Sequence, residues 1–71
     1  MKEIVIQIFA DNYSKEPGQI NTETRIAEDL QAKSLDMFAL LAMLEGALGS
    51  APDLNTAMKM KTVQEFVDFY N

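Results

Sequence analysis

Glu28-Asp29-Leu30-Gln31-Ala32-Lys33-Ser34-Leu35-Asp36 is the stretch that organises the chain, because it delivers a serine to the start of an apolar helical run. A helix start offers backbone N–H groups without intrahelical partners and the positive end of the macrodipole. A phosphodiester on Ser34 would be stabilised there, so the serine suits covalent attachment of a phosphate-linked cofactor. The same place suits a plain N-cap, with the serine oxygen accepting an N–H from the first turn. These residues leave both roles open.

From Leu35 to Leu48 the run is broken only by Asp36, Glu45 and Gly46. At about 100° per residue the two acids fall roughly 180° apart, so the predicted helix has no continuous polar face. Met37, Leu40, Leu41, Leu44 and Leu48 gather at the spacing of a buried stripe and are assigned to the core. The other side carries Leu35, Ala39, Ala42 and Gly46, flanked by Phe38. A chain of this size buries only about 60% of its unfolded surface, too little to cover both sides of one helix. The second side is therefore expected to be a partly exposed apolar patch of the kind that meets a partner. The alternatives are that the first helix or a loop folds over it, or that a monomer otherwise alone in solution pairs weakly through it.

Outward from this centre, Ile4, Val5, Ile8 and Phe9 share a helical stripe within Met1 to Asn12, although Ile4 to Ile8 is β-branched enough to pass for a strand. Ser14 to Thr24 is polar and contains Pro17-Gly18, which predicts a long loop pinned to the core by Ile20 and Ile26. Gly49 and Pro52 end the central helix. Asp53 then resembles the N-cap of a short helix, Leu54 to about Met58, expected to be the most mobile helical piece. Thr62 and Glu65 fit a capping box, and Val63, Phe66, Val67 and Tyr70 recur at i, i+3, i+4 and i+7. Lys59 and Lys61 just before it oppose that helix's dipole, which suggests that they neutralise acids across the bundle. The expected fold is all-α: one domain, residues 1–71, a small four-helix bundle of three longer helices and one short one.

The inventory excludes most chemistry. There is no cysteine and no histidine, hence no disulfide, no thiolate metal site, no imidazole base and no nucleophile–imidazole pair. Asp29 and Asp36 flank Ser34, but without such partners they read as a solvated helix entrance, so neither a catalytic residue nor a metal site is expected. The net charge is −5, from eleven acids against six bases scattered as Lys2, Lys15, Arg25, Lys33, Lys59 and Lys61, which argues against a nucleic-acid partner. The longest apolar run, Met37 to Leu44, is far short of the roughly 20 residues of a membrane span, and the first residues lack a signal-peptide pattern. A cytoplasmic protein without stable membrane insertion is expected.

Two stretches carry a resemblance that covers nearly the whole chain. Asp29-Leu30-Gln31-Ala32-Lys33-Ser34-Leu35-Asp36 resembles the Asp-Leu-Gly-Ala-Asp-Ser-Leu-Asp attachment motif of acyl carrier proteins. Lys59-Met60-Lys61-Thr62-Val63-Gln64-Glu65-Phe66-Val67-Asp68-Phe69 is similar to that family's Lys-Ile-Thr-Thr-Val-Gln-x-x-Ile-Asp-Tyr ending, and Pro52-Asp53 matches its Pro-Asp before the third helix. The resemblance implies that Ser34 receives 4′-phosphopantetheine from coenzyme A through a separate, magnesium-using phosphopantetheinyl transferase. Acyl groups would then ride as thioesters on the imported thiol, passed among acyl-transferring and acyl-modifying enzymes, while the carrier catalyses nothing. It also implies that the core side, lined by Leu40, Leu44, Val63 and Phe66, admits part of the acyl chain.

The departures are as informative as the match. Lys33 stands where the motif has an acid, and Gln31 where it has glycine. The charge reversal would attract a finished phosphodiester and alter the surface a transferase meets. Typical members present an acidic strip on the second helix, whereas here the corresponding positions are Ala39, Gly46 and Ala47, with only Asp36 and Glu45 left. Partners are thus expected to meet Lys33, Leu35, Asp36, Phe38, Ala39, Ala42 and Glu45, with slower and less salt-dependent association. The reading is a specialised carrier in a fatty-acid, lipid or polyketide pathway; an unmodified interaction module and a peptidyl or aminoacyl carrier remain alternatives.

Overall fold

In the computed structural model, which describes residues 1–71, the apolar run after Lys33 is the helix α3 (Ser34–Leu48), preceded by α1 (Lys2–Tyr13) and a one-turn α2 (Ile26–Asp29), and followed by α4 (Leu54–Lys59) and α5 (Val63–Phe69). No strand forms. The expected bundle of three longer helices and a short one is present, with α2 as an addition. Local chemistry sets the boundaries. Gly49 takes a left-handed φ of 86° and its N–H donates to the Glu45 carbonyl at 2.9 Å, which ends α3. Asp53 Oδ1 accepts the Thr56 N–H at 2.8 Å and opens α4. At α5, Glu65 Oε2 accepts the N–H groups of both Lys61 and Thr62, at 2.7 and 3.1 Å.

The core lies between α1, α3 and α5. Phe9, Phe66, Leu40, Leu44, Val5 and Val63 are its largest fully buried side chains, and the Phe9 and Phe66 rings meet edge to face with centroids 5.1 Å apart. Ile20 and Ile26 are both buried and pin the long loop as expected. Pro17–Gln19 adds a single 3₁₀ turn within that loop. Ile4 corrects the stripe assigned to α1: it is 47% exposed, while Ala10 is buried beside Val5, Ile8 and Phe9. A run this rich in apolar residues outnumbers the places on one helix face, and packing against α3 and α5 selects among them.

The loop between α1 and α3 is fastened to the start of α5 by an isolated antiparallel bridge between Arg25 and Thr62. Ile26 N–H donates to the Lys61 carbonyl at 2.8 Å, Val63 N–H to that of Thr24 at 3.1 Å, and Gln64 N–H to that of Thr22 at 2.9 Å. Arg25 also holds α2: its backbone N–H and guanidinium both bond the Asp29 carboxylate, at 2.8 and 3.0 Å. These two anchors position the segment that leads into Ser34.

Candidate functional site

Between α2 and α3 the chain makes a tight corner at Gln31, whose φ of 54° is left-handed. An L side chain there crowds the neighbouring carbonyl, and glycine escapes that contact. The glycine of the attachment motif thus falls on the one residue of this corner whose backbone asks for it. After the corner, Lys33 is extended and serves as N-cap residue, which makes Ser34 the first residue inside the helix.

That placement removes one of the two roles left open for Ser34. The serine is exposed, sits one position past the cap, and enters none of the side-chain hydrogen bonds of the chain. The function of a cap falls to Asp36, whose Oδ2 accepts the Lys33 N–H at 3.4 Å, a long and weak bond. The first α3 bond runs from Met37 N–H to the Lys33 carbonyl at 3.0 Å. The N–H groups of Ser34, Leu35 and Asp36 find no acceptor within the chain, so a free hydroxyl stands beside free donors at the positive end of a helix. Anionic groups, phosphates among them, are favoured at such a place.

The first turn of α3 is held from beneath. Asn12 Nδ2 at the end of α1 donates to the Asp36 carbonyl at 3.2 Å. Next to it, burial and then the negative Asp36 raise the Tyr13 phenol above its ordinary pKa, and its oxygen is enclosed without a hydrogen-bond partner. Nothing in the sequence marks Asn12 or Tyr13 as site residues, because their roles arise from α1 packing on α3. Asp29 does not reach Ser34: its hydrogen bonds to the Arg25 side chain and backbone hold its carboxyl below the ordinary range. Asp29 is therefore part of the scaffold.

The side of α3 away from the core is open. Leu35 is 80% and Phe38 57% exposed, and Ala39, Ala42 and Glu45 are exposed beside them. At about 100° per residue these five positions span an arc of roughly 120°, so the structure gathers them into one strip that begins at Ser34. Lys33 is exposed at its head and Asp36, half-buried, borders it. Met37, Leu40 and Leu44 are buried on the opposite side, as assigned.

Leu40, Leu44, Val63 and Phe66 are fully buried against one another and border no cavity. The space in this structure lies one layer out. An all-apolar recess of about 50 Å³, lined by Ile26, Ala32, Met37, Ala57, Met58 and Met60 among others, opens beside the start of α3. It shares Ala27, Met58 and Met60 with an open cleft of about 660 Å³ between α2 and the α4–α5 connection. The methionines follow an alternating spacing, Met58 and Met60, which gives no periodic signal in a short helix.

The structure thus presents one exposed serine at the start of the longest helix of a small bundle. Residues 3–70 match the family model described as "Phosphopantetheine attachment site", and the chain belongs to that family, whose cofactor is covalently attached 4′-phosphopantetheine and whose members are carriers, not enzymes. Among individual relatives, the chain is 42% identical to the acyl carrier protein of Thermosynechococcus vestitus over 69 residues, 97% of this chain and 85% of the relative. It is 37% identical to that of Borreliella burgdorferi (92% and 81% covered) and 34% identical to that of Rickettsia canadensis (97% and 80%).

Proposed function

We propose that the chain is a cytoplasmic acyl carrier in a dedicated fatty-acid, lipid or polyketide pathway, with Ser34 as the attachment point. The observation that carries this reading is the Ser34 hydroxyl itself: exposed, unbonded and one residue inside α3. In loading, Ser34 Oγ attacks the pantetheine-bearing phosphorus of coenzyme A. The new P–O bond replaces the one to the departing 3′,5′-ADP, and the transferase takes the serine proton. The unpaired N–H groups at the start of α3 and the ammonium of Lys33 stabilise the resulting phosphodiester charge. Once attached, the group supplies the thiol on which acyl chains ride as thioesters.

The dedicated pathway is supported by the strip from Leu35 to Glu45. A transferase or acyl-handling enzyme would meet leucine, phenylalanine and alanine there, with Asp36 and Glu45 as the only acids on α3. Such a partner would pack against the strip with little electrostatic steering.

The test is loading. Protein, coenzyme A, magnesium and a promiscuous phosphopantetheinyl transferase are combined and the intact mass is recorded, in parallel with Ser34→Ala. One added phosphopantetheinyl group on the parent and none on the variant is the expected result. Equal addition to both would move the attachment point elsewhere. No addition, with this transferase or one from the source organism, would leave an unmodified interaction module.

A further inference from the structure

Lys59 and Lys61 precede α5, where a cation opposes the helix dipole, and neither makes an ion pair within the chain, although Lys59 lies near enough to Asp53 to help lower its carboxyl. The chain's ion pairs are the amino terminus with Glu3 and Arg25 with Asp29. Both lysines instead border the 660 Å³ cleft, together with Arg25 and Glu28. Three cations against one acid give this lining a net charge of +2, in a chain of net charge −5. Arg25 is already engaged by Asp29 at 3.0 Å, so the free cations of the cleft are the two lysines. Lys61 also stands where the similar carrier ending has threonine, which makes this charge a feature of the present chain.

Part of the cleft wall is apolar. Ala27, Met58 and Met60 line it and also close the smaller recess that reaches Ala32 and Met37 on either side of Ser34. The two hollows therefore adjoin along Ala27, Met58 and Met60, the smaller lined by apolar residues alone and the larger bordered by cations. A concavity of about 300–1,000 Å³ with a few polar groups is the format of a small-molecule site rather than of a flat protein interface. Cations beside apolar walls fit a chain that is hydrocarbon along its length and anionic at its tip.

We propose that the acyl group carried on this protein ends in a carboxylate, with its methylenes on Ala27, Met58 and Met60 and its terminal carboxylate between Lys59 and Lys61. This rests on Ser34 being the attachment point. A methyl-ended chain gains the apolar contacts alone and leaves both lysines unpaired.

The test uses the full chain, ¹⁵N-labelled and loaded by a promiscuous transferase from adipoyl-coenzyme A or from hexanoyl-coenzyme A, acids of equal carbon count that differ at the tip. Intact mass establishes one added group on Ser34 and none on Ser34→Ala. The backbone amide shifts of residues 58–62 are then compared with those of the unacylated carrier. The adipoyl form is expected to move these amides at least twice as far as the hexanoyl form. Lys59→Gln together with Lys61→Gln, both exposed positions, should remove more than half of the adipoyl response and leave the hexanoyl response unchanged. If no group is added, the carrier reading and this proposal fall together. If loading succeeds but the two cargoes move residues 58–62 equally, or the adipoyl response survives loss of both lysines, this proposal alone falls.

Discussion

Replacing Gln31 by glycine should make the protein more stable, although it deletes a side chain from the attachment motif. Gln31 is exposed, enters no side-chain hydrogen bond and holds a φ of 54°. An L residue in the left-handed region costs about 1–2 kcal/mol, which glycine avoids. Glycine gives back about 0.4–1 kcal/mol because it frees the unfolded chain. The net gain lies between about 0 and 1.6 kcal/mol, and its mid-range value of about 0.8 kcal/mol corresponds to about 3–6 °C in Tm for a domain of this length. Urea unfolding followed by far-UV circular dichroism measures it, with Gln31→Ala as the control. Alanine keeps the Cβ and should gain nothing. A Gln31→Gly protein that unfolds at the same or a lower urea concentration than Gln31→Ala would refute the strain argument.

Other glycines separate helix propensity from backbone handedness. Gly46 lies inside α3 with open space around a built Cβ, so Gly46→Ala should stabilise by about 0.5–1 kcal/mol; Gly49, at φ 86°, should lose about 1 kcal/mol on the same change. Thermal melts of the two variants should move in opposite directions. Tyr13→Phe removes an enclosed hydroxyl that has no partner and should raise stability by about 1 kcal/mol, read from urea midpoints; a loss would mean the hydroxyl is bonded in solution. Phe38→Asp should leave the melting midpoint unmoved yet raise the transferase's KM for the carrier, and 1 M salt should affect the parent's KM little; an unchanged KM would remove this strip from docking. Hydrogen bonds from Arg25 and Thr56 hold the Asp29 and Asp53 carboxyls below the ordinary carboxylate range. Their contribution is complete above about pH 4 and is lost as pH falls through the lowered folded values, so a combined Asp29→Asn and Asp53→Asn variant should show a flatter loss of stability with acid.

What the sequence made legible was local. The Thr62–Glu65 box, the Asp53 cap, the stop at Gly49 and the two-sided pattern of α3 each depend on residues within a few positions of one another, and each appears where expected. What escaped depends on contacts between distant segments. Ile26–Asp29 becomes a helical turn because Arg25 grips Asp29 and the backbone on either side of it pairs with residues 61–64. Ile4 and Val5 are equally apolar, and only packing decides that Val5 is buried. For Ser34 the helix start was readable, but whether it stood at the cap or one residue inside turned on a single boundary. The extended Lys33 and the Asp36 carboxylate set that boundary, and a helix-start signal in sequence is too coarse to resolve it. The cleft was invisible because its walls come from α2 and from the α4–α5 connection, which no periodicity links.

The bridge between Arg25 and Thr62 has a kinetic meaning. It joins chain segments on either side of α3, so the corner at Gln31 and the start of α3 lie inside the loop that it closes. Pairing of distant segments comes after local helix formation, since loop closure must be achieved before its contacts stabilise anything. α3 can form before the bridge does, but the approach to Ser34 is fixed only when the bridge is shut. The amides of Ile26, Val63 and Gln64 therefore report on that closure: their protection from solvent exchange measures the fraction of molecules that offer the serine in its folded setting. A substitution that loosens the bridge would lower that fraction and slow modification of Ser34 without touching the serine or the strip beside it.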